Sequence, residues 1–257
     1  MVHSGARRLR GFTLTELAVV VAIIGFLLAS ALYTLSAQTE QRNFEETRRR
    51  LEAARELLLA FAIVNGRLPC PAISATDPNT AGLEAPAGGG TCTAPGPYGG
   101  WLPARTIGFQ ITDGSGNAID AWGNPMRYAV SHSALTGCLG ALPHFTSAAN
   151  LRTNGLTCQP NDLVVCRTAT GITATTCGTA LAVTNQNTLV AIVFSTGKNG
   201  AQGSAGIDEA ANLNGDRVFV WHTPTPVGST NGEFDDQVAW IAVGELYGRL
   251  VAANVLP

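Results

Sequence analysis

The chain has 257 residues, enough for one substantial domain or two small ones, and its formal net charge is -2. That balance points neither to nucleic acid nor to an acidic substrate. Only 13% of residues are charged, against a usual figure of about 25%, and Gly, Thr, Ala and Asn are abundant instead. This composition fits a protein working outside the cytoplasm, with long loops and β structure, and no internal repeat is visible.

The chain opens with a short basic segment, Arg7, Arg8 and Arg10, and Leu17–Leu35 then runs 19 residues without a charge. Roughly 20 apolar residues cross a bilayer as a helix, so this run is expected to span a membrane. The arginines are expected to hold the first residues on the cytoplasmic side, with the rest of the chain across the membrane. Glu16 breaks the pattern at the edge of the run. A charged residue at membrane depth costs roughly 2.5–3.5 kcal/mol, so Glu16 either sits among headgroups or has a compensating partner. Ala29-Ser30-Ala31 offers a second reading, an ordinary secretory signal peptide cut after Ala31. Against it stand a glutamate at the start of the apolar region and a helical pattern that does not stop at Ala31.

Gly11-Phe12-Thr13-Leu14-Thr15-Glu16-Leu17 resembles the class III signal of type IV pilins and type II secretion pseudopilins. The resemblance implies cleavage between Gly11 and Phe12 by a membrane-embedded prepilin peptidase, N-methylation of Phe12, and an assembly role for Glu16. It further implies a structural subunit, a minor pilin or pseudopilin, and not an enzyme. Its partners are then other pilin or pseudopilin subunits, the peptidase and an inner-membrane assembly platform. Its place is the bacterial inner membrane, with the globular part periplasmic or in an extracellular filament. The charges are consistent with this: a free amine on Phe12 and the carboxylate of a neighbour's Glu16 offset two desolvation costs when they meet in a dry bundle.

From Gln38 to Val64 there is no Gly or Pro, and Phe44, Thr47, Leu51, Ala54, Leu58 and Phe61 recur at helical spacing as one apolar stripe. Glu45–Arg49 and Glu46–Arg50 are placed for i,i+4 pairs worth a few tenths of a kcal/mol each. Asn65-Gly66 and Pro69 supply a stop. Phe12–Val64 is therefore expected as one helix of about 53 residues, roughly 80 Å long. Four segments follow: a leader 1–11, a membrane or filament-core half-helix 12–35, an amphipathic half 36–65 and an extracytoplasmic globular domain 66–257.

Within that domain the Pro- and Gly-rich stretch 74–100 reads as an irregular loop. Strands are expected at Met126–Ser131, Leu163–Arg167, Leu189–Ser195, Arg217–His222 and Val238–Ala242. The Thr-, Gly- and Asn-rich stretch 134–187 reads as an insertion carrying a short hairpin, and Gly244–Leu256 as a short amphipathic helix. The fold class is α+β, a long N-terminal helix packed on an antiparallel sheet. Asp120-Ala121-Trp122-Gly123-Asn124-Pro125-Met126-Arg127-Tyr128 is similar to a segment of the major type II secretion pseudopilin, and residues 195–200 and 234–240 resemble its C-terminal part.

The six cysteines, Cys70, Cys92, Cys138, Cys158, Cys166 and Cys177, all follow the apolar run and show no zinc-ligand spacing. Disulfides in an oxidising compartment are expected. Six cysteines allow 15 connectivities; nearest neighbours in sequence pair as Cys70–Cys92, Cys138–Cys158 and Cys166–Cys177. The family resembled binds calcium in the loop after Ser195-Thr196-Gly197-Lys198-Asn199-Gly200. Here Asn199 stands where an aspartate is usual, and Lys198 adds a positive charge. Asp208, Glu209, Asp216, Asp235 and Asp236 remain as oxygen donors, the alternative being that Asp235 and Asp236 bond backbone amides at turns. No other cofactor is expected. No G-x-S-x-G, H-E-x-x-H or P-loop occurs. A membrane-anchored or secreted periplasmic binding domain, not assembled into a filament, is the second class left open.

Overall fold

The computed structural model describes residues 13–132, 138, 143–200, 203 and 206–256, with the side chains of 28–37 left aside. The chain divides into two units, 1–43 and 44–257.

The first described element, α1 (Leu14–Asn65), is a single helix running through the Ala29–Ala31 site. It ends where Gly66 takes φ 68°, a left-handed angle that glycine adopts without a Cβ penalty, and the Gly66 amide donates to the Ala62 carbonyl at 2.8 Å. In the first unit Leu14, Leu17, Val19, Val20, Val21, Ile23, Ile24, Phe26 and Leu27 are all exposed. Among the described residues no helix is long and apolar enough to cross a membrane. The expected span Leu17–Leu35 is helical throughout, and its side chains beyond Leu27 lie outside the described residues.

The second unit is built on a four-stranded antiparallel sheet of β1 (Gly100–Trp101), β2 (Arg127–Val130), β4 (Leu189–Ser195) and β6 (Gln237–Ala242), in the order β1-β2-β4-β6. Strand alternation gives the sheet two apolar faces. Tyr128, Val130, Ala191, Val193, Ala239 and Ile241 face the stripe of α1, where Leu51, Ala54, Leu58, Leu59 and Ala62 are buried. On this side α5 (Val243–Ala252) lies beside α1, seating Leu246 and Leu250 in the same core. Arg55 reaches Glu245 at 2.8 Å and Arg249 reaches Glu56 at 3.0 Å. A register shift between Leu189 and Ala191 places Val190 on the α1 side together with Ala191.

Ala129, Leu189, Ile192 and Phe194 face the other way, onto Leu163, Val165 and Phe219. These belong to a second layer, β3 (Val164–Cys166) and β5 (Val218–Val220), which pair in parallel. The expected hairpin within 134–187 is thus only part of the story. Cys166 bridges Ala182 in antiparallel fashion around the loop 167–181, while the strand partner of β3 comes from outside the insertion. Covering the second face explains why every residue of β4 is buried. Short helices α2 (Ala104–Ile107), α3 (Ala148–Asn154) and α4 (Ile207–Leu213) complete the unit.

No helix or strand forms between Gly66 and Gly99. The loop is held by the Cys70–Cys92 disulfide and by Arg67, whose guanidinium meets both oxygens of Glu84 at 2.7 and 2.8 Å. Cys138–Cys158 and Cys166–Cys177 are the other disulfides.

His144 is buried at 2% exposure between α3 and α5. Its Nδ1 lies 3.3 Å from the Asn154 amide nitrogen, and its Nε2 lies 3.5 Å from the Tyr247 hydroxyl, which donates to the Cys158 carbonyl. A neutral ring with its proton on Nε2 satisfies both neighbours, whereas a second proton on Nδ1 would face a donor. Burial lowers this histidine from 6.5 to about 4. The unfolded chain therefore takes up a proton below pH 6.5 that the folded chain refuses until about pH 4. The stabilising effect is complete above 6.5 and lost as pH falls to 4, by about 3 kcal/mol in all. Asp235 and Asp236, raised by burial, titrate with the opposite sign. The effect is therefore expected as a difference: urea midpoints of His144→Gln fall less between pH 7 and pH 4 than those of the unsubstituted chain.

Candidate functional site

Three groups of polar residues stand out. The first is at the start of α1. Thr13 and Glu16 form a reciprocal capping pair: the Thr13 amide and hydroxyl both donate to Glu16 Oε2 at 2.8 Å, and the Glu16 amide donates back to Thr13 Oγ1 at 3.2 Å. Thr-x-x-Glu at a helix N-terminus satisfies amides that have no intrahelical partner, and the helix dipole favours the acid there. Glu16 is thereby held at the head of an apolar helix, followed by the exposed side chains from Leu17 to Leu27. Gly11 and Phe12 lie outside the described residues.

The second is the turn at Asp120. Asp120, 1% exposed, accepts the Trp122 and Asn124 amides at 2.9 and 2.8 Å on one carboxylate oxygen, and the Ser195 hydroxyl at 2.6 Å on the other. Gly123 takes φ 89° to close the turn. Asn124 donates to the Gly197 carbonyl at 2.6 Å, so the turn is tied to the end of β4. Three α1 side chains, each three residues after the last, grip its other side. Phe44 packs edge-on against Trp122 at 5.0 Å, Thr47 Oγ1 accepts the Ala121 amide at 3.0 Å, and Arg50 donates to the Ile119 and Asp120 carbonyls at 3.1 and 2.7 Å. This segment is a joint between helix and sheet.

The third is acidic. Glu209, Asp235 and Asp236 are all buried, and a carboxylate oxygen of each lies within 4.8 Å of the others. Glu209 comes from α4, and the two aspartates from the approach to β6. Asn199 donates to both oxygens of Glu209 at 3.1 and 3.0 Å, and the Lys198 amide donates to Asp235 Oδ2 at 2.9 Å. Asn212 donates to Asp236 Oδ2 at 2.7 Å. Burial, reinforced by neighbouring carboxylates, pushes Asp235 up to about 6 and Asp236 well above the usual range.

Of the aspartates expected as cation ligands, Asp235 and Asp236 meet here, and Asp208 and Asp216 do not. Asp208 points to the Ala169 amide at 2.5 Å, Asn231 at 3.0 Å and His222 at 3.1 Å. Asp216 accepts from Asn214 and the Val218 amide, both at 2.8 Å, in a turn before β5. Adjacent positions on a helix point about 100° apart, so α4 sends Asp208 and Glu209 to different neighbours. The buried positions of α4 are Asp208, Glu209, Ala211 and Asn212. Such a helix has no apolar stripe to announce it, and only the two adjacent acids hinted that one of them faces the loop.

Comparison with known proteins finds one signal. A family model described as the prokaryotic N-terminal methylation motif matches residues 6–32. The chain therefore carries the class III signal of a pilin- or pseudopilin-like prepilin, and its helix and mixed α+β unit with an antiparallel sheet are consistent with a pilin-like fold. The matched motif is a structural signal and not an enzyme family. No curated protein and no solved structure matches the chain.

Proposed function

We propose that this prepilin-like chain is cut between Gly11 and Phe12, methylated on the new amine of Phe12, and assembled as a structural subunit of a type IV pilus or type II secretion pseudopilus. The observation that carries the reading is the head of α1: one carboxylate, Glu16, at the start of a helix apolar all round, with nine large side chains from Leu14 to Leu27 exposed. A helix apolar on every side needs a bilayer or other helices. Before assembly the segment 12–35 is held in the inner membrane, and in the filament it packs against the same segment of neighbours. The partners are other subunits, prepilin peptidase and the inner-membrane assembly platform. Three disulfides favour the periplasmic side for the globular unit. The second layer and the long loops suit a minor subunit better than a bulk one.

Intact mass and N-terminal sequencing of the protein from its native membrane test the processing step. N-methylated Phe12 at the N-terminus is expected, and a chain beginning at Leu32 overturns the reading in favour of an ordinary signal peptide. Glu16→Ala tests assembly. The chain is expected to be processed, but its filament-incorporated fraction falls by an order of magnitude or more, because a neighbour's buried amine loses a counter-charge worth about 3–5 kcal/mol.

One observation favours a second reading, a binding domain that shares only the leader. A cleft of about 380 Å³ opens between the amphipathic part of α1 and β6, lined by Phe44, Leu51, Trp221, Pro224, Val238 and Ala239. If that cleft carries the function, Glu16→Ala leaves the phenotype intact and substitution of Trp221 abolishes it.

A further inference from the structure

We infer that β6 takes up an extended segment of another polypeptide as an added strand, laid along the cleft between α1 and the Trp221 segment. The order β1-β2-β4-β6 leaves the sheet two edges. The β1 edge is closed: the Trp101 amide donates to the Ala72 carbonyl at 3.0 Å, and its carbonyl accepts the Ala72 amide at 2.9 Å. The β6 edge is open. The Val243 amide donates to the Thr188 carbonyl, just before β4, at 2.8 Å. Backbone groups alternate along a strand, so Gln237, Ala239 and Ile241 also turn theirs to β4, while Val238 and Trp240 turn theirs outward. Neither of these two has a further backbone partner among the described residues.

Three features point to an occupant and to its form. First, Gln237-Val238-Ala239-Trp240-Ile241-Ala242 holds no charge and no proline, and the bulge of the ladder lies on β4. Open edges are ordinarily guarded by such devices, and β6 carries none of them. Second, the edge lies at the floor of the 380 Å³ cleft, which is continued past Arg55 and Trp240 by another of about 290 Å³. Phe44, Arg48 and Leu51 of α1 form one wall, and Trp221 and Pro224 the other. Walls on both sides admit one strand and exclude the edge of a second copy, which would bring its own α1. Third, Gln237, also in the lining, keeps its Nε2 buried with no hydrogen-bond partner among the described residues, a donor that a peptide carbonyl fits. Alternation sets the side chains as well. Residues of the added strand opposite Val238 and Trp240 fall on the face of the Trp221–Trp240 pair, whose rings lie 5.8 Å apart, and their neighbours fall toward α1. The α1 wall carries both signs, Glu45 and Glu52 beside Arg48, so the segment recognised is neutral, with apolar side chains at alternate positions. Main-chain bonds supply affinity and the tryptophan face specificity. The strand fills the cleft of the second reading, on which this assignment rests, in a free or an assembled chain alike.

The test uses the full processed chain in detergent, with an end-capped, fluorescein-labelled hexapeptide alternating valine and threonine as the probe. Amide hydrogen exchange and fluorescence anisotropy are the readouts. In the free chain the Val238 and Trp240 amides are expected to exchange about a hundredfold faster than those of Ala239 and Ile241, and bound peptide to slow them about tenfold or more. Of the two alternate sets of peptide amides, methylating one is expected to weaken binding about tenfold or more, and methylating the other to leave it unchanged. Val238→Pro, which removes an outward amide and no bond to β4, is expected to weaken binding likewise, and the methylated peptides serve if it does not fold. Slow exchange at Val238 and Trp240 in the free chain, no peptide binding, or binding indifferent to methylation of either set overturns the added strand. If such indifferent binding is lost in Trp221→Ala, the strand is overturned while the cleft of the second reading stands. A dimer in sedimentation that Val238→Pro abolishes overturns the separate partner in favour of a second copy.

Discussion

Arg67→Ala is expected to destabilise the globular unit by about 3–5 kcal/mol, because it leaves Glu84 charged and buried. The two side chains are 8% and 9% exposed and meet in a bidentate fork. Glu84 does more than pair. Its oxygens also accept the Cys70 and Gly88 amides at 3.3 and 3.2 Å, so the stretch 68–90 closes around one carboxylate. Glu84→Ala is expected to cost a similar amount, and the Arg67→Ala, Glu84→Ala double variant less than the sum of the two single ones, since removing both charges removes the desolvation cost as well. Urea unfolding of the four proteins measures the coupling. A double variant as unstable as the sum of the singles would mean that each residue packs independently and the ion pair contributes nothing.

Asp120→Ala is expected to cost about 3 kcal/mol or more, as two amides and a hydroxyl lose a buried acceptor together. Asp120→Asn keeps one oxygen for the Trp122 and Asn124 amides and is expected to cost about 1 kcal/mol. The alanine variant should also release Trp122 from Phe44, so its tryptophan emission shifts to the red before global unfolding. If both variants unfold with the wild-type midpoint and unshifted emission, the turn is not the joint between helix and sheet.

The regular frame of the second unit was readable where chemistry is local. Leu189–Ser195 is an unbroken apolar, β-branched run, and the strand has those bounds. The start of the C-terminal helix was expected within one residue of Val243, from the spacing of Leu246, Leu250 and Val251. The long helix ends at Asn65 because Gly66 ends it. What sequence could not give is pairing at a distance. The parallel match of Val164–Cys166 with Val218–Val220 joins two three-residue strands about 50 positions apart, and neither shows an alternation that names its partner. Gly100–Trp101 is too short to carry a periodicity. At the candidate sites, Glu16 was conspicuous as a charge beside an apolar run. Glu209 was one acid among several until α4 turned it inward and turned Asp208 away.

The three-point grip of α1 on the Asp120 turn has a mechanical consequence. A pull on the chain anywhere before Asn43 reaches the globular unit first at Phe44, then at Thr47 and Arg50, one helical turn after another. These contacts follow one another along one face of the helix, so a force acting along the helix axis within the globular unit is divided among them. Behind them Leu51, Ala54 and Leu58 must slide past the sheet as a row before the helix can leave. The globular unit is thus expected to yield to traction along this helix only when the whole row gives way, and to traction on a single exposed loop one contact at a time.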